Sequence, residues 1–264
     1  MSKPGGEDGR ETRSPDFVRA FERGLAVIRT FGKETPELTL TEVARATNLT
    51  RAAARRFLLT LVELGYVQTD GRVFSLRPRV LELGYAYLSA LSLPEVAQGH
   101  MERLVHQVRE TCSLAVLDED EVVYVARVHT RRIVTLSINV GTRFPAYATS
   151  MGRVLLAYQD REWLERYLST VAMAPSTSRS VTDPRQLASV LATVRAQGYC
   201  VTEQELEEGL RSVAVPIRGG SGSVIAAMNV SAHTSGRDAD SFRSEVLPVL
   251  LEVAAAVHED LVTR

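Results

Sequence analysis

The sequence predicts a two-domain α+β protein, with an N-terminal winged helix-turn-helix, a helical linker and a C-terminal antiparallel sheet flanked by helices. Two observations support this fold class. Residues 39–74 carry two helix starts, a tight turn and a hairpin signal in the order of a winged helix-turn-helix. After residue 94, strand-like and helix-like apolar periodicities occur in separate segments, which is typical of α+β domains.

Length and composition leave room for both domains. The 264 residues are 45% hydrophobic and 24% charged, as in a globular protein with two cores. Residues 1–13 are rich in glycine and charge and show no apolar periodicity, so we expect a disordered leader there. The expected domains are a winged helix-turn-helix over 14–77, a linker helix over 78–93 and a C-terminal domain over 94–264.

The first helix is expected directly after Asp16, whose carboxylate can cap the free amides at the helix start. Its apolar stripe begins at Phe17, repeats at helical spacing as far as Phe31, and stops before Gly32. We expect this helix to pack beneath the helix-turn-helix; its aromatic stripe is either plain core or, in a dimer, also a surface for the partner.

Two further helices are expected from their caps. Thr41 can cap a short helix, Glu42–Ala46, and Thr50 can cap a longer one, with Asn48 in the turn between them. The longer helix has an apolar face and carries three arginines in its first two turns. N-terminal residues of a recognition helix reach base edges, and a guanidinium group can bond bidentately to guanine. The helix residues that we expect to contact DNA are Thr50, Arg51, Ala52, Arg55 and Arg56.

A wing is expected after this helix. Gly65 ends the helix, and Asp70-Gly71 is a strong turn signal between strands Tyr66–Thr69 and Arg72–Leu76. Arg72, at the hairpin tip, is expected to contact a DNA phosphate. A basic helix on its own is more often a solvated surface, but the caps, the turn and the wing together favour DNA binding.

Charge is distributed unevenly along the chain. The net charge is −1, yet residues 1–91 carry 14 lysines and arginines against 11 acidic residues. This modest excess of positive charge favours a homodimer, because the two subunits would each contact the DNA weakly and together bind it more tightly. No apolar run approaches the ~18 residues of a membrane span, and no signal-peptide core is present, so we expect a cytoplasmic protein. Cys112 and Cys200 lie in apolar surroundings and are expected to be buried thiols.

The linker helix is expected to begin at Pro78 and to end before Pro94. It is apolar around much of its circumference, from Leu81 to Leu91. The helix therefore either connects the domains and contributes a self-association surface, or packs only on its own domain.

Strands and helices of the C-terminal domain are expected from periodicity and caps. The expected strands are Ser113–Leu117, Glu121–Val128, Arg132–Val140, Tyr199–Glu203, Ser212–Ile217 and Val224–Ser231. The expected helices begin at Pro94, at Met151 after the cap Thr149-Ser150, at Asp160, at Asp183-Pro184, and at Asp238 or Asp240.

A site for a small anion is expected at the start of the helix that follows residues 141–148. Thr149-Ser150 can cap this helix, and free amides at a helix start attract anions. Gly152 would let a ligand approach the backbone closely. A ligand carboxylate is the expected guest, and the alternative is a helix start satisfied by its own cap.

Polar residues also interrupt the predicted strands. Asn229 and Ser231 point to one face of an otherwise apolar strand, so they either bind a ligand or mark the solvent face. A polar cluster between two predicted strands, Glu203, Gln204 and Glu205 with residues 209–212, is placed to line the mouth of a pocket.

Motifs of catalysis are missing from the sequence. The five histidines form no metal-binding pair, and neither a catalytic serine elbow nor a phosphate-binding glycine loop occurs. We therefore expect neither enzymatic activity nor a metal or cofactor. Two other classes stay open: an enzyme acting on a small carboxylate, and a constitutive DNA-binding protein whose C-terminal domain only oligomerises.

Four segments resemble the IclR family of bacterial transcriptional regulators, in family order, over about Phe17 to Leu261: FERGLAVIRTFG, LTEVARATNLTRAAARRFLLTLVELGYV, GTRFPAYATSMGRVLLA and ELEEGLRSVAVPIR. They are most similar to the subfamily that controls aromatic-acid catabolism through the β-ketoadipate pathway. The resemblance implies a GAF-like effector domain, dimers and often tetramers on palindromic operators, and an effector such as protocatechuate, para-hydroxybenzoate or β-ketoadipate. The alternative within the family is a regulator of another pathway that senses a different small organic acid.

The resemblance also implies the residues of an effector pocket. Carried over position by position, they are Ile133, Leu136, Ala148, Thr149, Ser150, Met151, Glu203, Leu210, Ser212, Asn229 and Ser231. The family's small-keto-acid pocket has an acidic residue near Thr202 and a serine at Asn229, and these differences favour a hydroxylated aromatic acid here. Its hydroxyls would bind Ser212, Asn229 and Ser231, and its carboxylate the amides of residues 150–152.

Overall fold

The structure is a computed structural model that describes residues 14–90, 92–130, 138–236 and 238–263. The chain divides into two compact units, with the boundary between Tyr87 and Leu88. Separate hydrophobic cores lie in the two units, and the α+β fold class expected from the sequence is confirmed. Among the described residues, no helix is both long enough and apolar enough to cross a membrane.

The N-terminal unit is a winged helix-turn-helix. Its elements are α1 (Arg19–Arg29), β1 (Glu37–Thr39), α2 (Leu40–Ala46), α3 (Arg51–Glu63), β2 (Val67–Thr69) and β3 (Val73–Leu76). The strands form an antiparallel sheet in the order β1-β3-β2. Strand β1 was not predicted from the sequence; its Leu38 pairs with Phe74 and joins the core beneath α3.

A capping box begins α2, two residues earlier than predicted. The Thr39 hydroxyl accepts the Glu42 amide, and the Glu42 carboxylate accepts the Thr39 amide at 2.7 Å. These bonds hold the pKa of Glu42 below its ordinary value. The prediction that Thr41 caps this helix is wrong. Strand β1 ends at Thr39 in an extended conformation, so the helix begins directly after Thr39.

The starts of α1 and α3 contrast with each other. Thr50 caps α3 as predicted, with its hydroxyl accepting the Ala53 amide at 3.2 Å. Asp16 does not cap α1, which begins after Val18 without a side-chain cap. Asp16 instead lies in a preceding turn, where its amide donates to the Ser14 hydroxyl.

The turn between β2 and β3 is held by Asp70. Its carboxylate accepts the amides of Val73 and Arg72, each at 2.8 Å, and these bonds lower its pKa. Gly71 follows with a φ of 92°, a conformation that residues with a Cβ rarely adopt. The wing predicted from Asp70-Gly71 is therefore confirmed as a hairpin.

The segment predicted as a linker helix contains several elements. A single 3₁₀ turn, Pro78–Val80, leads into α4 (Leu81–Ala90). The next helix, α5, begins at Ser92, and Leu91 lies outside the described residues. The expected start of α5 at Pro94 is therefore two residues late.

The C-terminal unit is an antiparallel sheet with helices on both faces. Its strands are β4 (Thr111–Asp118), β5 (Glu121–Val128), β6 (Arg143–Pro145), β7 (Cys200–Glu203), β8 (Leu210–Arg218) and β9 (Val224–His233). Its helices are α5 (Ser92–Val108), α6 (Ser150–Ala157), α7 (Arg161–Thr170), α8 (Pro184–Gln197) and α9 (Ala239–Thr263). The strand order is β6-β5-β4-β9-β8-β7, and every pairing is antiparallel.

Each face of this sheet has its own core. Met228 packs with Met101 of α5 and Phe242 of α9 on one face. The neighbouring Ala227 packs with Met151 of α6 and Leu187 of α8 on the other, because successive strand residues point to opposite faces.

The edge strand beside β5 is not the one expected from the sequence. Most of the expected strand Arg132–Val140 lies outside the described residues, and residues 138–140 are not a strand. The edge of the sheet is instead β6, whose Phe144 pairs with Val122. Three residues are too few for a period-two pattern to be visible in the sequence.

Candidate functional site

A row of four hydroxyl groups crosses the C-terminal sheet near one end. Thr111 of β4 pairs with Ser231 of β9, which pairs with Ser212 of β8, which pairs with Thr202 of β7. Directly paired residues point to the same face, so these four side chains lie together. Ser231 is half-buried, and the other three are buried.

A second polar row lies two residues further along the strands. It consists of Arg127 of β5, Ser113 of β4 and Asn229 of β9. The Asn229 amide nitrogen donates to the Ser231 hydroxyl at 3.0 Å. Beyond this row the same face becomes apolar core beneath α6, beginning with Ala227. Polar residues are thus confined to one end of a face that is otherwise hydrophobic.

A cavity of about 260 Å³ lies above the two polar rows. The start of α6 and the loop between β7 and β8 complete its lining. Ligand pockets commonly measure roughly 300–1,000 Å³, so this cavity is at the small end and suits a ligand with a single ring.

Three buried polar atoms at this cavity have no hydrogen-bond partner among the described residues. They are Thr111 Oγ1, Ser150 Oγ and Asn229 Oδ1. A buried polar atom without a partner costs roughly 1–3 kcal/mol, so such atoms are rare unless a ligand or ordered water satisfies them. Their convergence on one cavity indicates a site for a polar ligand.

Arg127 brings a positive charge to the cavity. Its Nε donates to His129 Nδ1 at 3.3 Å, and no carboxylate in the described part of the chain pairs with it. Burial lowers its pKa from the ordinary value, because removing a charge from water is costly. Burial also raises the pKa of Tyr124, another lining residue, to about 12, so the phenol stays neutral. Among the described lining residues, Arg127 is the one arginine that can pair with an anionic ligand, and the lining also carries the carboxylates of Glu110, Glu207 and Glu208.

Glu205 also lines the cavity, but its charge is compensated. Nη1 and Nη2 of the buried Arg153 donate to its carboxylate at 2.9 and 2.5 Å. Arg153 Nε donates to the carbonyl of Tyr147 at 2.8 Å, and the Ser180 hydroxyl donates to the Glu205 carbonyl at 2.7 Å. These bonds fix the loop between β7 and β8 over the cavity.

Helix α6 presents only part of its first turn to a ligand. Thr149 caps the helix, and its hydroxyl accepts the Gly152 amide at 2.9 Å. The amides of Ser150 and Met151 have no partner within the described ranges. The predicted cap is confirmed, and it leaves two amides rather than three for an anion.

Gly152 serves helix packing. A Cβ at this position would lie 2.1 Å from the backbone oxygen of Ala146. The glycine therefore allows the start of α6 to approach the 3₁₀ turn Ala146–Ala148 that precedes it. The expectation that Gly152 leaves room for a ligand is corrected, because the backbone of Ala146 occupies that space.

We predict that Gly152→Ala destabilises the C-terminal unit by about 1–3 kcal/mol or more, since the added methyl group overlaps backbone atoms. Fluorescence of Trp163, the single tryptophan, reports thermal unfolding of this unit. Gly99→Ala, within α5, is the matched control, because its Cβ would meet only Arg103 Nη1, at 3.8 Å. Equal midpoints for the two variants would contradict the packing role.

Seven of the predicted pocket residues line the cavity: Ala148, Thr149, Ser150, Leu210, Ser212, Asn229 and Ser231. Met151 does not line it and is fully buried in the core beneath α6. Glu203 does not line it either, since its carboxylate pairs with Arg211. Ile133 and Leu136 lie outside the described residues. Effector binding by all eleven stays a prediction.

Several lining residues were not predicted. They include Glu110, Thr111, Tyr124, Arg127, Thr202 and His233, whereas Glu205 belongs to the polar cluster that was expected near the mouth of a pocket. One signal was present in the sequence, namely an arginine within the apolar strand that contains Tyr124 and Val128. The others become visible only once the register of the strands is known.

A second candidate site is the exposed face of α3. Its apolar residues Ala54, Leu58 and Leu61 are buried in the core. The six residues predicted to contact DNA are all exposed: Thr50, Arg51, Ala52, Arg55 and Arg56 at the start of α3, and Arg72 at the wing. The geometry is that of a recognition helix with a basic N-terminal half.

Neither cysteine is activated as a nucleophile. Burial raises the pKa of Cys200 to about 12 and also raises that of Cys112, so both are neutral thiols. Within the part of the chain that the structure describes, no group of three or more histidine, cysteine or acidic side chains could hold a metal ion.

Comparison with known proteins identifies both units. The IclR helix-turn-helix domain matches residues 20–71, and the domain described as "Bacterial transcriptional regulator IclR C-terminal" matches residues 85–259.

Individual relatives match over nearly the whole chain. The Pca regulon regulatory protein of Pseudomonas putida is 45% identical over 91% of this chain and 83% of its own length. The p-hydroxybenzoate hydroxylase transcriptional activator of Acinetobacter baylyi is 38% identical over 92% of both chains. The crystal structure of an IclR homologue from Microbacterium hydrocarbonoxydans, complexed with 4-hydroxybenzoate, superposes with a TM-score of 0.83 at 30% identity, covering 93% of this chain and 100% of that one. The chain therefore belongs to the IclR family of bacterial transcriptional regulators, which are DNA-binding proteins with an effector domain and not enzymes.

Proposed function

We propose that this regulator binds operator DNA through α3 and the wing, and that a hydroxylated aromatic acid in the cavity controls the binding. The observation that carries the proposal is the cavity itself, where Arg127 and three unpaired polar atoms meet above a hydrophobic core. Relatives named for the Pca regulon and for p-hydroxybenzoate hydroxylase support a role in aromatic-acid catabolism.

We place the ligand carboxylate at Arg127. A guanidinium group can form two parallel hydrogen bonds with a carboxylate. Its full positive charge also attracts the carboxylate more strongly than the partial positive charge of two helix amides does. Asn229 Oδ1, which lacks a donor, is then suited to accept a bond from a ring hydroxyl. The unpaired Ser150 hydroxyl supplies a further partner at the start of α6.

DNA binding by a dimer, and its assembly into tetramers, belong to the same proposal. Large apolar side chains are exposed on two helices of the N-terminal unit, including Phe21 of α1 at 68% and Leu81 and Tyr85 of α4 at 70% and 69%. Exposed apolar surface of this kind typically marks a contact with another chain. A dimer would also present two recognition helices to the two halves of a palindrome.

The deciding experiment measures whether ligands stabilise the protein and change its affinity for DNA. Thermal-shift assays would use 4-hydroxybenzoate, protocatechuate, β-ketoadipate and pyruvate. Gel shifts would use a duplex selected from random DNA by the wild-type protein. We expect an aromatic hydroxy acid to raise the unfolding midpoint and to change duplex affinity. If no acid in the panel changes either quantity, the C-terminal unit is not a sensor of these compounds.

We predict that Ser150→Trp abolishes the thermal shift caused by 4-hydroxybenzoate, because an indole would occupy much of a cavity of about 260 Å³. The variant should still bind the selected duplex, since Ser150 belongs to the C-terminal unit. Ser169→Trp, at an exposed position of α7 outside the cavity, is the control and should keep the shift. A normal response of Ser150→Trp would place the ligand elsewhere.

A further inference from the structure

Arg79 links the start of α4 to the end of α3. It lies in the 3₁₀ turn that precedes α4, two residues before the helix begins. Its Nη1 donates at 2.9 Å to the backbone oxygen of Leu64, the residue that ends α3. The last carbonyls of a helix have no partner within the helix, so a cation there makes a favourable bond.

Tyr66 strengthens this link. The Arg79 guanidinium lies over the Tyr66 ring, 5.4 Å from its centroid. The Tyr66 amide donates to the carbonyl of Leu61 in α3, and its carbonyl accepts the Arg77 amide at 2.8 Å. Tyr66 is therefore bonded both to the recognition helix and to the segment that leads into α4.

Most of the described side chains in this segment are exposed. Residues 77–79 are exposed, as are residues 81–85 at the start of α4. Arg79, Tyr66 and the Arg77 amide therefore supply contacts that hold the start of α4 against the end of α3. An ion pair between Arg79 and Glu82, at 3.4 Å, adds a bond within the linker itself.

We infer that Arg79 is a positioning residue that couples the linker helix to the recognition helix. Helix α4 continues to Ala90, beyond the boundary between the two units. A change in the direction of α4 would therefore act on the end of α3 through the Arg79 side chain. This inference rests on the proposed function, because it concerns how a ligand signal reaches the DNA-binding surface.

A role in coupling differs measurably from a role as a helix cap. Loss of a cap weakens duplex binding by the same factor with and without the ligand. Loss of a coupling residue changes the ratio of the two affinities, which measures the coupling free energy. The ratio is therefore the decisive quantity, and overall affinity is not.

The experiment compares duplex affinities with and without saturating 4-hydroxybenzoate, by fluorescence anisotropy, for wild type and Arg79→Ala. We expect the ligand-dependent ratio of the variant to fall at least threefold toward one, while its affinity for 4-hydroxybenzoate stays within twofold of wild type. Arg79→Lys, which keeps a positive charge and N–H donors but lacks the planar guanidinium, should recover part of the ratio. Glu82→Ala is the matched control and should behave as wild type, because it leaves the Leu64 and Tyr66 contacts intact.

A wild-type ratio in Arg79→Ala, or equal losses with and without ligand, would overturn the inference. Should Arg79→Ala fail to fold, Tyr66→Leu provides a second test, because it removes the ring beneath the guanidinium. A wild-type ratio of duplex affinities with and without ligand in Tyr66→Leu would also contradict the coupling. If the wild-type protein itself does not respond to 4-hydroxybenzoate, the proposed function fails for this acid. The test is then run with whichever acid of the panel changes duplex affinity, and if none does, a sensor role and the coupling fail together.

Discussion

Replacing Arg127 by glutamine is expected to weaken binding of 4-hydroxybenzoate by about 100-fold. A hydrogen bond to a charged group contributes roughly 1.5–3 kcal/mol, and losing a bidentate pair inside a partly buried cavity lies at the upper end of this range. Since each 1.4 kcal/mol changes a dissociation constant about tenfold, two orders of magnitude follow. Isothermal titration calorimetry with the full chain measures the loss directly.

Two controls separate charge recognition from general damage to the cavity. Arg143→Gln changes an arginine of the same sheet that pairs with Asp118 and Glu121 outside the cavity, and it should bind the acid normally. The neutral 4-hydroxybenzamide should bind wild type weakly and lose little further affinity in Arg127→Gln. Arg127→Lys should recover only part of the affinity, because an ammonium group cannot form the bidentate pair. Tight binding of the acid to Arg127→Gln would place the carboxylate elsewhere, for example at the amides of α6.

The elements that were predicted correctly are specified by short-range signals. Thr50 caps α3 through a bond three residues away, and the wing turn depends on Asp70 and Gly71 alone. The strands β1 and β6 were missed because each has three residues and is defined by its partner strand. The cap of α2 was misplaced for the same reason, because the unpredicted strand β1 ends at Thr39 and the helix begins directly after it.

The ligand site shows the same division between local and non-local information. Asn229 and Ser231 were identified because polar residues interrupt an apolar strand, which is visible along the chain. Arg127 was missed because its direction depends on a bulge. Between Tyr124 and Arg127 the pairing with β4 shifts by one residue, so two side chains three positions apart face the same cavity. Without this bulge, simple alternation would send Arg127 to the opposite face.

The cavity also reflects a balance between core packing and ligand binding. Polar atoms at Thr111, Ser150 and Asn229 are unsatisfied in the described structure, and each costs stability. A ligand that satisfies them recovers this cost and adds its own binding free energy. Ligand binding should therefore raise the unfolding midpoint of the C-terminal unit strongly, which is why thermal shift is a sensitive assay here.

The largest effect on DNA is expected from the double variant Arg51→Ala/Arg55→Ala, which should lose at least about 1,000-fold in affinity for the selected duplex. A bidentate contact between arginine and guanine contributes about 1–3 kcal/mol, and a dimer would lose the contacts of two recognition helices. Both side chains are exposed and point away from the core of α3, so the fold should be unaffected. Fluorescence anisotropy on the selected and on a scrambled duplex, at one fixed salt concentration, gives both affinities.

Arg72→Ala should behave differently, and this contrast tests the assignment of roles. A wing residue that contacts phosphate contributes no base specificity, so its loss should weaken binding to both duplexes equally and reduce the salt dependence. Loss of Arg51 and Arg55 should instead bring the selected duplex down to the affinity of the scrambled one. Arg23→Ala, at an exposed position of α1, controls for the general loss of a positive charge. Retained preference for the selected duplex in the double variant would mean that α3 does not read the bases, and that specificity comes from DNA shape or from the wing.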